Sequence, residues 1–175
     1  SRRLYFLGYM RSFHGRTMGS LAFTSTSSKA RKNFGPMMPG AVLAPYPYCY
    51  RCPFKQEHPE CGLYCLDYIK EHIFRFVVTP GEVAGLIFEP LLGAGGYVSP
   101  PQEYWPMVRE MCDEHGILLI DDEVQTGFGR TGKMWACQHW DVEPDIMCMS
   151  KAVAAGLPMG VCAAKGEVMD WEEGA

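Results

Sequence analysis

The chain has 175 residues, of which 47% are hydrophobic, and 16 basic against 20 acidic residues give it a formal net charge of −4. This composition favours one globular domain with a sizeable core, without the basic field that attracts nucleic acid or a membrane surface. No apolar run reaches the roughly 20 residues of a membrane span, and the opening residues lack a signal-peptide core. We therefore expect neither nucleic acid nor a membrane as a partner, and the predicted location is the cytoplasm.

Short apolar strands alternate with helical patterns along the chain. Between Cys65 and Val78, apolar residues recur at near-helical spacing. Residues 100–116 predict a helix with prolines in its first turn and Gly116 at its end. This alternation predicts an α/β fold with a largely parallel sheet in a single domain. The predicted strands are residues 4–10, 41–45, 83–90, 117–124, 145–150 and 160–166.

Four of these strands are followed directly by polar or glycine-rich sequence. In open α/β sheets, ligands bind beyond the carboxyl ends of the strands. We therefore expect the four ends to face one cleft. They are SFHGRT at 12–17, FEPLLGAGG at 88–96, DDEVQTGFG at 121–129 and SKAVAAG at 150–156.

Three consecutive acids, Asp121, Asp122 and Glu123, end a strand that reads as buried. Because carboxylates rarely stay buried without a partner, a cation is expected beside them. Lys151 ends another strand, where an amine in a partly apolar site can form a Schiff base. Pyridoxal phosphate needs such a lysine and an acid on its ring nitrogen, and its protonated ring would be the cation. The residues alone leave open a surface role for Lys151 and a structural pair of Glu123 with Arg130.

Two long segments resemble one enzyme family, the class III (subgroup II) pyridoxal-phosphate aminotransferases. They are DDEVQTGFGRTGKMWA at 121–136 and PDIMCMSKAVAAGLPMG at 144–160. FHGRT and FEPLLGAGG occur in that family in the same order, so the resemblance covers essentially the whole chain. It implies fold-type I, with residues 1–175 as part of the cofactor-binding large domain. It also implies an amino donor and a 2-oxo acid as substrates, and a homodimer with its site at the interface.

The resemblance implies a role for each of several residues. Asp122 looks like the aspartate that pairs with the ring nitrogen, since it directly precedes Glu-Val-Gln, although strand alternation alone leaves Asp121 open. Lys151 would bind pyridoxal 5'-phosphate as a Schiff base and move a proton between the substrate Cα and the cofactor C4′. Glu89 matches a carboxylate near the cofactor. Arg16 is similar to an arginine that in some members receives a substrate carboxylate, which a guanidinium fork fits.

The remaining cofactor contacts follow from the same resemblance. Val124 would pack on one ring face and Phe13 on the other, with His14 beside it. Gln125 would hydrogen-bond the ring hydroxyl oxygen. The residues themselves also allow Phe13 to be a core side chain and His14 a buried histidine without an acid–base role.

Ala94 is a departure from the family pattern. Relatives that act on ornithine or 4-aminobutyrate usually carry a glutamate there. Alanine fits ω-amine:pyruvate enzymes better, or the amino-acid racemases and epimerases on the same scaffold. The predicted function is transfer of an amino group from an amine or ω-amino acid (4-aminobutyrate-like) to a 2-oxo acid. The alternatives are racemisation, or a catalytically silent piece, because the chain starts within a strand and lacks the family's phosphate-binding turn.

Half of the eight cysteines form a C-x2-C-x8-C-x3-C pattern between a strand and a helix: Cys49, Cys52, Cys61 and Cys65. The first spacing is typical of metal sites, whereas the other two are unusual for a zinc ribbon. Reduced thiols without a metal are the expectation in the cytoplasm, with a structural metal or a disulfide as alternatives. The other four are predicted to be core residues: Cys112, Cys137, Cys148 and Cys162.

Overall fold

The apolar segments that alternate with helical sequence form one six-stranded sheet. In the computed structural model, which describes residues 3–170, the strand order is β2-β1-β3-β4-β5-β6. β1 to β5 run parallel and β6 runs antiparallel to β5. The predicted α/β fold with a mostly parallel sheet is confirmed. The strands are β1 (Tyr5–Tyr9), β2 (Ala41–Ala44), β3 (Val83–Phe88), β4 (Leu118–Asp122), β5 (Ile146–Met149) and β6 (Val161–Ala164).

The helices between the strands are mostly short. The helical pattern after Cys65 forms a continuous but irregular segment, because a π-helical turn at Ile69–Ile73 separates α3 from α4. None of the helices within residues 3–170 is long and apolar enough to cross a membrane. The helices are α1 (Met18–Leu21), α2 (Ser28–Arg31), α3 (Tyr64–Tyr68), α4 (Phe74–Phe76), α5 (Tyr104–His115) and α6 (Gly166–Met169), and the 3-10 turns are Cys49–Arg51, Pro80–Glu82, Ala136–His139 and Lys151–Ala154.

The helix predicted at 100–116 forms as α5. Pro106 occupies its first turn, where a missing N–H costs nothing, and Gly116 ends it in the left-handed conformation at φ 61°. Its apolar face is buried against the sheet, and burial of each such side chain stabilises the fold by about 1.5–3 kcal/mol. That face consists of Trp105, Val108, Met111 and Cys112.

A cluster of aromatic rings supports the carboxyl ends of β1 and β3. The rings of Tyr9 and Tyr46 meet edge-to-face at 5.7 Å between centroids, and Trp105 packs on both. The Trp105 indole N–H donates to the Pro90 carbonyl at 2.8 Å, and the Tyr46 hydroxyl donates to the Glu89 carbonyl at 3.3 Å. Edge-to-face packing adds to area burial, so the core holds the chain immediately after β3 in a fixed position.

The prediction that Cys162 is a core residue is not met, because Cys162 lies on β6, the edge strand of the sheet. Cys162 on β6 is exposed and Cys148 on β5 is half-buried, whereas Cys112 and Cys137 are buried. The core assignment was therefore wrong for Cys162. An apolar pattern alone does not tell an edge strand from a central one, because the covering layer is supplied by other segments.

A buried carboxylate connects β4, α5 and the residue that follows β6. Asp145 accepts hydrogen bonds from the Leu119 N–H at 2.8 Å, from Arg109 Nη1 at 2.8 Å and from Lys165 Nζ at 2.9 Å. Burial alone would raise the pKa of Asp145, but the Leu119 N–H, Lys165 and Arg109 together hold it below its usual value. Asp145 therefore stays ionised and joins three elements through charge-assisted bonds.

Replacing Asp145 with asparagine is expected to lower the free energy of unfolding by about 1.5–3 kcal/mol, the range for hydrogen bonds to charged groups. Because the pKa of this group is lower in the folded chain than its value of about 3.9 in an unfolded one, its contribution is complete above that value. It is lost as the pH falls through the folded-state pKa. Urea unfolding at pH 7 and at pH 3 measures both effects. Glu143→Gln is the matched control, since Glu143 is highly exposed and 4.0 Å from Lys165, and an equal loss there would contradict the prediction.

Candidate active site

The carboxyl ends of β1, β3, β4 and β5 enclose one cavity of about 230 Å³. Each of the four predicted strand-end segments contributes to its wall, as the geometry of parallel sheets requires. A wider recess of about 820 Å³ lies beside β5 and is lined by neither Asp122 nor Lys151. The smaller cavity is therefore the candidate site. It is lined by Phe13, His14, Gly15, Glu89, Ala94, Asp122, Val124, Gln125, Ser150 and Lys151.

Strand alternation separates the two aspartates at the end of β4. Asp122 lines the cavity, where its Oδ2 lies 2.7 Å from His14 Nδ1 and its Oδ1 accepts the Val124 N–H at 3.1 Å. Asp121 is fully buried away from the cavity, and both of its oxygens lack a hydrogen-bond partner in the described part of the chain. Burial and the nearby Glu123 raise the pKa of Asp121 well above its usual value. Asp121 therefore faces away from the cavity, and Asp122 is the carboxyl group that lines it.

Glu123 is held by two neutral hydrogen-bond donors and not by a cation. Its carboxylate accepts a hydrogen bond from the Thr126 hydroxyl and another from the Cys137 N–H at 2.9 Å. The predicted pair of Glu123 with Arg130 was wrong. Since β4 is buried at its end, two neutral donors, one in the following turn and one in the 3-10 turn Ala136–His139, satisfy this carboxylate without the burial of a guanidinium.

Glu89 joins two walls of the cavity. Its Oε1 accepts the Phe13 N–H at 2.8 Å and its Oε2 accepts the Gly93 N–H at 2.9 Å. Burial raises the pKa of Glu89, while the Gly93 and Phe13 N–H groups and His14 oppose that shift. One carboxylate therefore links the loop after β1 to the loop after β3.

Lys151 lies at the open side of the cavity, in the turn after β5. Its Nζ donates a hydrogen bond to the Gln125 side-chain oxygen. Its backbone has φ 48°, in the left-handed region that a non-glycine residue rarely adopts. The preceding Ser150 hydroxyl donates to the Met159 carbonyl at 2.6 Å, which fixes the chain before it. Such strain is often found where a side chain is held in place for a function.

The structure brings together seven of the eight residues singled out from the sequence as site residues, and the seven line one cavity. Arg16 is exposed and does not line it, although its guanidinium lies 5.8 Å from the Phe13 ring centroid. Sequence reasoning missed Thr24, whose hydroxyl accepts the His14 N–H at 2.9 Å and donates to the Gly15 carbonyl at 2.8 Å. Nothing in the sequence around Thr24 signals that contact.

Gly95 fixes the wall that carries Ala94. A Cβ at Gly95 would lie 2.3 Å from the Arg11 carbonyl oxygen, a backbone atom that cannot rotate away. We expect Gly95→Ala to lower the free energy of unfolding by about 1–3 kcal/mol, as overpacking typically does. Thermal unfolding measures the loss. Gly81→Ala is the control, since a Cβ there meets nothing within 4 Å, and equal melting temperatures of the two variants would contradict the prediction.

The chain is similar to a known enzyme family, to characterised relatives and to solved structures. A family model described as "Aminotransferase class-III" matches residues 1–173. The leucine/methionine racemase of Thermococcus litoralis is 41% identical over 170 residues, covering 97% of this chain and 38% of that protein. The adenosylmethionine-8-amino-7-oxononanoate aminotransferase of Geobacter sulfurreducens is 40% identical over 168 residues, covering 94% of this chain and 36% of that protein. The chain therefore spans well under half the length of these relatives.

A solved structure superposes closely on the same fold. It is an amine transaminase from an uncultivated Pseudomonas species in its pyridoxal-phosphate-bound form, with a TM-score of 0.88 and 38% sequence identity. The match covers 95% of this chain and 37% of that one. The sheet and its strand ends are thus shared with an enzyme of known architecture.

Proposed function

This chain belongs to the class-III aminotransferase family, and we propose that it contributes the catalytic lysine and the ring-binding groups of a pyridoxal-phosphate transaminase. The amino group would pass from an amine or ω-amino acid (4-aminobutyrate-like) to a 2-oxo acid. The observation that carries the proposal is the convergence of Lys151, Gln125 and Asp122 in one cavity. Residues 1–175 would form part of the cofactor-binding large domain.

The donor set of the cavity fits pyridoxal 5'-phosphate. Asp122 offers a carboxylate for the ring nitrogen, Gln125 an amide for the ring oxygen and Lys151 an amine for the aldehyde. Phe13 and Val124 supply apolar surface for the two ring faces. The lining contains no lysine or arginine besides Lys151, and we infer that the phosphate group takes its donors from other segments of the protein.

When bound, pyridoxal phosphate supplies an aldehyde that takes up the amino group and a ring that withdraws electrons from the substrate Cα. Lys151 Nζ would move a proton between that Cα and the cofactor C4′. Its bond to Gln125 orients the amine, and its exposed position leaves room for a substrate. Proton transfer by a positioned side chain of this kind contributes about 10²- to 10⁴-fold to a rate.

Asp122 would accept the ring N–H and keep the ring protonated. His14 Nδ1 and the Val124 N–H hold its two oxygens in place. Glu89 would act on the cofactor indirectly, through the two loops that it joins. Arg16, next to Phe13, would receive a carboxylate of the substrate through its guanidinium.

The substrates and the assembly are part of the same proposal. The partners are the amino donor and the 2-oxo acid, and the protein would work as a homodimer, as the family resemblance implies. The cytoplasmic location expected from the sequence stays a prediction.

A racemase or epimerase is the second candidate function. The observation that favours it is the 41% identity to the leucine/methionine racemase of Thermococcus litoralis. The same residues would serve, since Lys151 would remove the Cα proton and a proton would return to Cα instead of moving to C4′. Ala94 in the cavity wall is compatible with both reactions.

A single enantiomer of each tested amino acid, given to the protein with and without a 2-oxo acid, separates the two functions. The transaminase proposal expects a new amino acid only when the 2-oxo acid is present, and no change in chirality without it. Chiral chromatography measures both products. Loss of chirality in the absence of any 2-oxo acid would replace the proposal by the racemase. If the protein reacts with no amine and no amino acid, the alternative that this chain is catalytically silent is favoured.

A further inference from the structure

The cysteine pattern between β2 and α3 has no part in the proposed function. Cys49, Cys52, Cys61 and Cys65 all carry free thiols. Although they are spread over 17 positions of the sequence, all four line the same small cavity. Three of them, Cys49, Cys52 and Cys61, lie in the loop between Ala44 and Tyr64, which has little regular structure apart from a 3-10 turn at Cys49–Arg51, and Cys65 lies at the start of α3.

The size of this cavity limits what it can hold. Its volume is about 20 Å³, close to the ~10–15 Å³ that one water molecule needs. An organic ligand is excluded by that volume, whereas a single ion fits. The cavity lining includes no lysine or arginine, so nothing there would compete with a cation for the thiolates.

The four sulfur donors limit which ion can bind. Thiolates are soft ligands that select zinc, copper(I) and iron–sulfur clusters. Four thiolates around one ion give the closed tetrahedral set of structural zinc sites. The nearby His58 is less suited as a ligand, because its Nε2 already lies 3.0 Å from a carboxylate oxygen of Glu103.

We propose that Cys49, Cys52, Cys61 and Cys65 bind one zinc ion as thiolates and so fix this loop. Each thiol gives up its proton to solvent when its sulfur binds the ion, so the loading of one zinc releases four protons and changes no oxidation state. The sulfur atoms must move closer together than they are in the structure. That movement is open to them, since Cys49 is exposed and the other three are only partly buried.

A competing cation position exists elsewhere in the described residues. Donor atoms of Asp121, Glu123 and Cys137 lie within 4.8 Å of one another. Both oxygens of Glu123 are, however, already used by Thr126 and the Cys137 N–H. The cysteine loop offers four free donors, so it is the better zinc site, and the experiment must separate the two.

The ion would act on the site through the aromatic core. Tyr46, near the start of the loop, lines the cysteine cavity and donates its hydroxyl to the Glu89 carbonyl. Zinc would thus hold the loop against the segment that carries Glu89, at a distance from the reacting atoms. Its role is structural, and its loss would loosen one support of the site.

The test uses the purified, reduced protein freed of pyridoxal phosphate and of metal, then loaded with zinc and passed through a desalting column. Elemental analysis should find one zinc per chain, falling to none in the Cys52→Ser/Cys65→Ser double variant. Cobalt(II) in place of zinc should give thiolate-to-metal charge-transfer bands and tetrahedral d–d bands, which the double variant lacks. Cys162→Ser is the matched control, since Cys162 is a free thiol outside the loop, and it should retain zinc.

Three results would overturn the proposal. Wild-type protein without bound zinc would exclude the site. Zinc that persists in the double variant but is lost in Cys137→Ser would place the ion at the Asp121 cluster. A cystine between loop peptides in a non-reducing digest of protein prepared without reductant would instead assign the four thiols to a redox bridge. Cobalt spectra guard against a misfolded variant, because they report sulfur ligation in the wild type directly.

Discussion

Replacing Lys151 with alanine is expected to lower the rate of amino transfer by about 10³-fold or more, since the change removes both the nucleophile and the acid–base group. The amine is the only lysine or arginine nitrogen in the lining of the candidate site, and its hydrogen bond to Gln125 sets its direction. Steady-state kcat for the amino donor that proves active measures the effect. Borohydride reduction and peptide mapping should find the cofactor on the peptide with Lys151 in wild-type protein and on no peptide in the variant.

Two controls separate chemistry from folding. Lys70→Ala removes an exposed lysine on the helical segment and should leave kcat unchanged. Methylamine added to the Lys151→Ala variant should restore a measurable part of the activity, because a small amine can enter the space left and move the proton. A variant that keeps more than a tenth of the wild-type rate would rule Lys151 out as the catalytic lysine.

Asp122→Asn is expected to lower kcat by about 10²- to 10⁴-fold, the range for a positioned acid–base group. The amide keeps the shape of the side chain but carries no charge, so it no longer favours a protonated ring. It also replaces the charged partner of His14, whose side chain is almost completely buried. The measurement is kcat with the active donor together with the absorbance spectrum of the bound cofactor.

The neighbouring aspartate provides a matched control for this prediction. Asp121→Asn makes the same substitution one residue away, on a buried side chain that does not line the cavity, and should keep kcat within a few-fold of the wild type. A cofactor analogue methylated on the ring nitrogen carries a permanent positive charge and should restore part of the Asp122→Asn activity. Equal losses in both variants would show that Asp122 has no special role.

The sheet and its longest helix could be predicted because their signals are local. The end of α5 follows from Gly116, whereas its start lies at Tyr104, four residues after the predicted start at Pro100, and the strands follow from short apolar runs. The direction of β6 could not be predicted, since an apolar run has the same pattern whether its neighbour runs parallel or antiparallel. Cys162 is exposed because β6 is the edge strand of the sheet, which the apolar pattern does not indicate either.

The candidate site was predictable to the extent that it lies at strand ends. The residues at those ends converge because parallel strands finish at the same edge of the sheet. Strand alternation alone could not decide between Asp121 and Asp122, because the face that each covers depends on pairing with β3 and β5. The partners of Glu123 and the contact of Thr24 with His14 depend on how turns fold back, and turn sequences do not record that.

The two hydrogen bonds that the Glu89 carboxylate accepts restrict how the cavity wall can move. Its two oxygens hold the Phe13 and Gly93 amides, while the core donors Tyr46 and Trp105 hold the carbonyls of Glu89 and Pro90. The two loops therefore cannot swing apart independently, because opening either one breaks a bond to the same carboxylate. We expect the Phe13 and Gly93 amides to open together, so that hydrogen–deuterium exchange measures the same opening rate for both.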